Sequence, residues 1–546
     1  MRERGRQVAW EPSSPERPGP GDSKPAETTP AALGSEELSV LFDRPALGRA
    51  EPVKSAETAW LKDLNLDQFV AALTAGRDEH YDLAHHLSSP LDDVGTVRYR
   101  QAILAELDDA SVADPFKSFC EGMERVRGLL KGTRRFEHRY YREGWLLEAA
   151  SRYVEGVSRL SEQLGELPLE SSGLTKLRDH LASYCCGEPF STLASEVAAV
   201  RRGLQAVEYT TAIRGNRVTV SRYEGEQDYS KEVLATFAKF SQGAEQDHRV
   251  RLPELVMNHV QAHVLELVAR LFPAAFSALD RFYSHHHDFF DPVLERFDRE
   301  VRFYLAYLDY IKALRANGLS FCIPEVDEQP SEVAAEEAFD IVLADERLRT
   351  AASVVCNDFS LHHRERLLVV TGPNQGGKTT FARAFGQLHY LASLGLYVPA
   401  KRASLVLPDQ IFTLFERAEE IATLRGKLEE ELVRARSILR RATARSIVIM
   451  NETFSSTTLE DSELLGRRVL EQLCDIGVHG VYVTFIDDLS ALNEATVSMV
   501  ASVDPDDPTV RTFKIVRRAA DGLTYAAALA AKYGLTYEMV RKTLSP

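Results

Sequence analysis

The sequence predicts a multidomain protein of the α plus α/β class, in which a helical region precedes an α/β domain with a mainly parallel sheet. Its 546 residues exceed what one hydrophobic core normally organises, so about two to four domains are expected. From about residue 55 to 340, apolar residues recur at spacings of three and four, which is typical of amphipathic helices. After about residue 340, short apolar runs alternate with helical patterns, which favours buried parallel strands.

Composition and charge narrow the class of protein. Hydrophobic residues make up 44% and charged residues 27%, as expected for a globular chain. No apolar run approaches the roughly 20 residues that span a bilayer, and the charged N-terminus does not resemble a secretory signal. The six cysteines show no CxxC or zinc-ligand spacing, so a reduced, cytoplasmic setting is expected. A net charge of −16 argues against a protein that coats nucleic acid with its whole surface, but leaves a local basic patch open.

We predict three segments along the chain. Residues 1–35 contain Pro, Ser, Glu and Gly without aliphatic clusters, and we expect a disordered tail because they bury too little apolar surface to offset ordering entropy. Residues 36–340 form the helical region. Residues 341–546 form the α/β domain with a helical ending.

Two runs in the second segment are strongly periodic. The run LLEAASRYVEGVSRLSEQL, from Leu146 to Leu164, keeps helical spacing. A stronger run predicts a long helix over residues 293–315, with Pro292 in its first turn and Gly318 after its end. A helix packed in a bundle is the simpler interpretation, and a lever that carries movement between domains is the alternative.

Residues 206–224 interrupt the helical pattern. β-Branched and aromatic residues flank Arg214–Asn216, which predicts a β-hairpin with a short glycine-containing loop. Arg214, Arg217 and Arg222 are candidates for phosphate contacts, although a solvated hairpin is the simpler interpretation.

The candidate strands of the third segment are short apolar runs separated by helical patterns. Runs of this kind are expected where a strand is covered on both faces. The predicted strands are Leu367–Thr371, Ile447–Met450, Val481–Thr484, Met499–Val503 and Thr512–Val516.

The segment from Gly372 to Thr379 matches the phosphate-binding pattern GxxxxGK[ST] in full, between a predicted strand and a predicted helix. Glycines let backbone N–H groups approach phosphates, and the helix N-terminus favours negative charge. We therefore predict binding of ATP and Mg²⁺, with Lys378 at the β- and γ-phosphates and Thr379 on the metal. The predicted nucleotide-binding residues here are Gly372, Pro373, Asn374, Gln375, Gly376, Gly377, Lys378, Thr379 and Thr380.

A second motif follows on the strand that ends at Met450. Asn451 and Glu452 stand where a Walker B strand carries its acidic pair. Glu452 is the candidate catalytic base that orients the attacking water. Asn451 is predicted to face Mg²⁺ partly through water, because its carbonyl accepts a hydrogen bond but adds no charge.

A further cluster of metal-ligand residue types is the run His285–His287 with Asp288 and the nearby Asp291. Adjacent residues on regular structure cannot all face one ion. We interpret the cluster as a helix end packed on a core and predict no metal site there.

The last third of the chain resembles the ATPase domain of the MutS family of DNA mismatch-repair proteins. TGPNQGGKTT is similar to the family's TGPNxGGKST, and LASLGLYVPAKRASLVLPDQIFT, VTFIDDL and LTYAAALAAKYGLTYEMVRKTL follow in the family's order. Asn357 matches an Asn that precedes the family's loop, and the resemblance implies that it binds nucleotide. The upstream segments DLNLDQFVAALTAGR and RGNRVTVSRYEGE and the long helix resemble the family's core and lever, in the branch associated with Smr domains.

The sequence departs from the family at several positions. Asn451 replaces the first Walker B acid, Gly426 replaces a Ser that reaches the partner's nucleotide, and Phe485 replaces a His near the γ-phosphate. Val354 stands where an aromatic stacks on adenine, whereas Glu431 keeps an acid of the family. Neither the family's mismatch-reading domain nor an Smr nuclease is expected, so mismatch reading is not carried over.

The resemblance implies an ATPase, with Glu452 and Lys378 as catalytic residues, that couples nucleotide state to conformational change, and the departures at Asn451, Gly426 and Phe485 predict slow hydrolysis. It also implies a homodimer through the ATPase domains, DNA as a ligand in repair or recombination, and no membrane partner. One alternative is a nucleotide-gated interaction scaffold without DNA binding. An unrelated P-loop enzyme such as a small-molecule kinase is the other, and the MutS-like ending disfavours it.

Overall fold

The computed structural model describes residues 38–43, 59–76, 82–133, 138–214, 217–225, 259–416, 426–504, 507 and 510–520. The predicted tail 1–35, the hairpin loop residues 215–216, residues 423–425 and the MutS-like ending after residue 520 lie outside the described residues.

Helices dominate the described residues before residue 317. They are α1 Ala59–Asp63, α2 Leu66–Thr74, α3 Leu83–Leu87, α4 Val94–Leu107, α5 Ala110–Thr133, α6 Arg139–Glu166, α7 Ser172–Cys186, α8 Glu188–Gln205, α9 His259–Leu271, α10 Pro273–His285 and α11 Pro292–Ala316. The periodic run that begins at Leu146 is thus confirmed as part of α6. Among the described residues, no single helix has the length and apolar character of a membrane span, although α9 and α10 meet that criterion as a pair bent by 107°.

The predicted long helix is confirmed as α11. The Asp291 carboxylate accepts a hydrogen bond from the backbone N–H of Leu294 at 2.9 Å, and Pro292 occupies the first turn. Gly318 follows its end with a φ of 83°, a conformation that glycine adopts without steric cost. Fourteen of its residues are buried. Because these cover most of its circumference, α11 is a central helix of the core rather than a surface helix.

The predicted hairpin is also present. β1 Tyr209–Arg214 pairs with β2 Arg217–Arg222 in an antiparallel register. The Arg222 guanidinium donates to the carbonyl of Leu271 at 2.8 Å and lies over the Phe272 ring at 5.1 Å. Arg222 therefore anchors the hairpin to the end of α9.

Strands and helices alternate after about residue 340, as predicted, and two further strands precede that position. The strands are β3 Glu325–Asp327, β4 Glu332–Ala338, β5 Asn357–His362, β6 Leu367–Thr371, β7 Arg402–Val406, β8 Ile411–Phe415, β9 Ile447–Asn451, β10 His479–Val483, β11 Thr496–Val503 and β12 Arg511–Arg517. The helices are α12 Ile341–Arg349, α13 Lys378–Ser393, α14 Lys427–Arg441 and α15 Leu459–Ile476.

A six-stranded sheet runs in the order β12-β11-β6-β10-β9-β8. All of its pairs are parallel except β11–β12, so the predicted mainly parallel sheet is confirmed with one antiparallel edge strand. Every residue of β6, β9 and β10 is buried, as expected for strands covered on both faces. Since β6 lies in the interior of this sheet, the loop that follows it emerges between β10 and β11.

A four-stranded sheet in the order β3-β7-β4-β5 was not predicted. It joins strands from both sides of residue 340, where the sequence suggested a domain boundary. One hydrophobic cluster likewise includes Tyr304 and Tyr307 of α11 and Phe385 and Leu388 of α13. The helical region and the α/β domain therefore share a core.

The histidine run lies at the end of α10, which stops at His285. His286 approaches Glu196 with 2.8 Å between Nε2 and Oε2 and packs on the buried Phe282. This fits the predicted helix end on a core. In the part of the chain that the structure describes, no group of three or more His, Cys, Asp or Glu side chains is arranged to hold a metal ion.

Gly480 should be intolerant of any side chain. A Cβ there would lie 1.9 Å from the Val448 carbonyl oxygen on the neighbouring strand. We expect Gly480→Ala to lower the free energy of unfolding by about 3 kcal/mol, seen as a lower thermal midpoint. Gly203→Ala is the matched control, because a Cβ in that part of α8 meets nothing within 4 Å. An equal midpoint for both variants would contradict the expectation.

Candidate functional site

The glycine-rich loop begins where β6 ends and finishes where α13 begins. Gly372 and Gly377 have φ of 118° and 91°, and Gln375 has φ of 59°. A Cβ at Gly372 would lie 2.9 Å from the Cβ of Ala501 on β11. The loop therefore needs glycine for both its backbone conformation and its close approach to the sheet.

Lys378 lies folded back over this loop and is 4% exposed. Its Nζ donates to the carbonyls of Gly372 and Pro373 at 3.0 and 3.1 Å. The carboxylate of Glu452 is 3.9 Å away, and the Phe485 ring centroid is 4.3 Å away. Burial lowers the pKa of Lys378, and the nearby Glu452 only partly opposes this effect.

Thr379 connects the loop to the end of β9. Its hydroxyl donates to the side-chain carbonyl of Asn451 at 2.9 Å. Asn451 is the last residue of β9, two strands from β6 in the sheet, and is buried. The two motifs that the sequence placed in one site are therefore adjacent in the structure.

Glu452 directly follows β9, and its backbone is held in a left-handed conformation with φ of 53°. Its N–H donates to the carbonyl of Val483 on β10 at 2.9 Å. Burial raises the pKa of its carboxyl, Lys378 lowers it, and Glu416 raises it further. A half-buried carboxylate with a raised pKa, next to a lysine, has the character of a general base.

The loop after Glu452 is fixed from two helices. Glu431 of α14 accepts a hydrogen bond from the backbone N–H of Phe454 at 2.8 Å, and Ser462 of α15 donates to the Phe454 carbonyl at 2.6 Å. Phe454 has a φ of 61° and is fully buried. Glu431 therefore positions the segment that carries Glu452. In the sequence, Glu431 was recognised only as an acid shared with the family, and its hydrogen bond to Phe454 was not predicted.

The edge strand β12 lies against the outer side of the loop. Arg511 donates from Nε to the carbonyl of Asn374 at 3.2 Å. A Cβ at Gly377 would lie 3.6 Å from the Cα of Phe513. The Asn357 amide donates to the Phe513 carbonyl at 3.2 Å and accepts from the Ile515 N–H at 2.7 Å. Asn357 thus orients β12 beside the loop.

The residues from β6 onward match a known family. The profile described as MutS domain V covers residues 368–543. Residues 368–543 therefore carry a domain of the MutS family. Over 204 residues the chain is 30% identical to the DNA mismatch repair protein MutS of Brevibacillus brevis, which covers 37% of this chain and 23% of that protein. Over 190 residues it is 30% identical to the endonuclease MutS2 of Thermus thermophilus, which covers 34% of this chain and 25% of that protein.

The chain therefore matches these two MutS relatives over about a quarter of their length. The resemblance drawn from the glycine-rich loop and the segments after it is confirmed by the match of residues 368–543 to MutS domain V. The match begins at residue 368, so the resemblance of the helical region to a MutS core and lever stays a prediction.

The departures from the MutS pattern have distinct places in the structure. Phe485 is 49% exposed and packs its ring on Lys378, where the family carries an imidazole. Val354 packs partly buried against the main core. Gly426 is the N-cap of α14, and a Cβ there would meet nothing within 4 Å. Of these three departures, Phe485 is the one that contacts a candidate catalytic residue, Lys378, directly.

The residues of this MutS domain fit ATP and Mg²⁺. Thr379 and Asn451 present neutral oxygens 2.9 Å apart, which suits a magnesium ion that keeps part of its water shell. The glycines at positions 372, 376 and 377 keep side chains away from the loop. Because Asn451 adds no charge, neither of these two oxygens would bring negative charge to the ion.

Two hydrogen bonds in the site were not predicted from the sequence. The hydrogen bond from Phe454 to Glu431 joins residues that are 23 apart, and the one from Arg511 to Asn374 joins residues that are 137 apart. An arginine directly before a predicted strand gives no local signal that it reaches a distant loop.

Proposed function

We propose that this chain binds MgATP at Gly372–Thr379, hydrolyses it slowly with Glu452 as the base, and couples nucleotide state to movement of its helical region. The observation that carries the proposal is the position of Lys378. Its Nζ lies 3.0 Å from the Gly372 carbonyl and 3.9 Å from the Glu452 carboxylate. One side chain therefore joins the loop that would bind phosphates to the group that would activate water.

Bound Mg²⁺ would neutralise charge on the phosphates. Thr379 and Asn451 would hold it, and Lys378 would leave the Gly372 and Pro373 carbonyls to contact the β- and γ-phosphates. Glu452 would orient a water and accept its proton. The neutral Asn451 and the apolar Phe485 both weaken charge stabilisation at the γ-phosphate, which supports slow turnover.

Coupling to the helical region is supported by polar contacts of α13, the helix that begins with Lys378. Gln387 donates to the carbonyl of Leu64 and to the carboxylate of Asp340, each at 2.9 Å, and accepts from the N–H of Ile341 at 2.9 Å. Arg383 donates to the carbonyl of Asp63 at 3.0 Å. A shift of α13 on nucleotide binding would therefore move the turn between α1 and α2.

We also propose, from the family of this domain, a homodimer through the ATPase domains and DNA as the ligand. The two relatives are named for DNA mismatch repair and for endonuclease activity, and we propose neither activity for this chain.

DNA binding is tested with duplex, branched and single-stranded DNA, each with and without ATP. We expect retention of at least one DNA form at low salt, with an affinity that falls steeply as salt rises because phosphate contacts release counterions. Lys378→Ala protein is the control for nucleotide dependence. No retention of any form under either condition would reject DNA binding and favour the alternative, a nucleotide-gated scaffold.

Replacing Asn451 by aspartate should strengthen the Mg²⁺ dependence of ATP binding. The new carboxylate would stand 2.9 Å from the Thr379 hydroxyl and would add the missing charge beside the ion. We expect the Mg²⁺ concentration for half-maximal ATP binding to fall by about tenfold, which corresponds to about 1.4 kcal/mol. Asn493→Asp, on the exposed loop before β11, is the control. An unchanged Mg²⁺ requirement would mean that residue 451 does not face the metal.

A further inference from the structure

A short segment far from the loop, residues 38–43, is held almost entirely by side chains of two helices. We call it the strap. Val40 and Leu41 are fully buried. Four consecutive backbone carbonyls of the strap each accept a hydrogen bond from a different side chain. The pairs are Arg296 to Leu38 at 3.2 Å, Tyr99 to Ser39 at 2.6 Å, Tyr304 to Val40 at 2.6 Å and Arg100 to Leu41 at 2.9 Å.

Three N–H groups of the strap also donate to side chains, one to Glu300 of α11 and two to Ser39 of the strap itself. Glu300 accepts from the Val40 N–H and from the Ser39 hydroxyl, each at 2.8 Å. The Ser39 oxygen in turn accepts from the N–H groups of Leu41 and Phe42 at 3.1 and 3.0 Å. This uses the one donor and both lone pairs of the hydroxyl. A serine at position 39 is therefore part of the recognition.

The side chains that hold the strap form a defined slot. Tyr99 and Arg100 come from α4, and Arg296, Glu300 and Tyr304 lie one turn apart along α11. Arg100 is 1% exposed and Glu300 is 7% exposed. Buried charges of this kind need polar partners, because an unpaired one carries a large desolvation cost. The slot is thus built to receive a peptide backbone.

The slot also touches the end of the helix that begins with Lys378. Arg100 donates from Nη1 to the carbonyl of Leu394, directly after α13, at 3.2 Å. Its guanidinium lies between the rings of Phe42 and Phe303, at 4.9 and 5.3 Å. Gly395 has a φ of 74°, and a Cβ there would lie 2.6 Å from the Cβ of Arg100. The strap therefore closes a junction between α4, α11 and the end of α13.

We propose that this slot is a peptide-binding site that recognises a serine followed by two aliphatic residues and an aromatic residue, and that residues 38–43 occupy it as an exchangeable ligand within the same chain. Recognition through the main chain, with specificity from a few side-chain contacts, is how extended peptides bind in other settings. The Ser39 hydroxyl and the Phe42 ring on Arg100 supply that specificity. Residues 44–58 connect the strap to α1 in the sequence. Cleavage of the chain within them would therefore place the strap and α1 on separate fragments.

The test uses the full chain with a protease site substituted for residues 47–53, cleaved after folding and without nucleotide. We expect the N-terminal fragment to coelute with the rest of the chain in size exclusion. An excess of a fluorescent peptide of residues 36–44 should then replace it and raise the anisotropy. The same peptide with Ser39→Ala should bind at least tenfold more weakly, because Glu300 would lose a buried partner.

Glu300→Gln protein should also bind the parent peptide at least tenfold more weakly, and Lys312→Gln, an exposed position on the same helix, should not differ from the parent protein. A fragment that never exchanges would show an integral part of the core and overturn the proposal. Equal binding of the two peptides, or no uptake after the fragment has left, would also overturn it. Failure of ATP binding would leave these outcomes unchanged.

Discussion

Replacing Lys378 by alanine is expected to weaken ATP binding by about 100-fold or more, which corresponds to about 3 kcal/mol. Lys378 is 4% exposed and sits between the Gly372 and Pro373 carbonyls, so it is already oriented toward the loop. Burial has lowered its pKa, and phosphate would replace the lost hydration with charge-assisted hydrogen bonds. Isothermal titration with ATP and Mg²⁺ measures the effect.

Lys401→Ala is the matched control, because Lys401 is exposed and pairs with Glu337 at the surface. It should bind ATP as the parent does. Lys378→Met keeps most of the side-chain volume and guards against loss of binding through misfolding. Unchanged affinity in both Lys378 variants, with a parental thermal midpoint, would remove the lysine from the proposed site.

Replacing Glu452 by glutamine is expected to keep ATP binding within about twofold and to slow hydrolysis by about 100-fold or more, the scale of a lost general base. Glutamine has nearly the same shape but cannot take a proton from water. Steady-state phosphate release and ATP titration separate the two effects. Glu460→Gln, on the exposed first turn of α15, is the control. Equal turnover by the parent and the Glu452 variant would reject this residue as the base.

The pH dependence of hydrolysis follows from the same carboxyl. A base acts only when it is deprotonated, and burial raises the pKa of Glu452 above its ordinary value of 4.5. Turnover should therefore rise with pH through this raised value and be lost as pH falls through it. The acidic limb of the pH–rate profile should disappear in the Glu452→Gln protein.

The parts predicted best from sequence depend on neighbouring residues. The glycine-rich loop carries its strand, turn and helix signals in one continuous stretch, and α11 carries both its cap and its periodicity. Strand β4, by contrast, has the sequence EVAAEEA, in which alanine and glutamate favour a helix. Pairing with β5 and β7 overrides that preference, and a single sequence does not show such pairing.

The strap escaped prediction for a related reason. Its four apolar or small residues, Ser39 to Phe42, border a polar segment and are too few for a periodic signal. The Ser39 carbonyl accepts from Tyr99 of α4, 60 residues away in the sequence. The Val40 carbonyl accepts from Tyr304 of α11, 264 residues away. Glu431 and Phe454 are closer in sequence, but their hydrogen bond depends on the left-handed backbone conformation of Phe454, which no local sequence pattern predicts.

The place of β12 at the edge of the sheet has a consequence for how the protein is made. The glycine-rich loop leaves the ribosome well before Arg511 and Phe513, which hold its outer side. The strand before the loop, β6, also lacks its sheet neighbours β10 and β11 at that point, because both are synthesised later. Chains emerge N-terminal end first, and contacts between distant residues form slowly. A nascent chain that carries the complete motif therefore lacks its supporting neighbours until Arg511 and Phe513 have also been synthesised, which delays any nucleotide dependence of folding to that stage of translation.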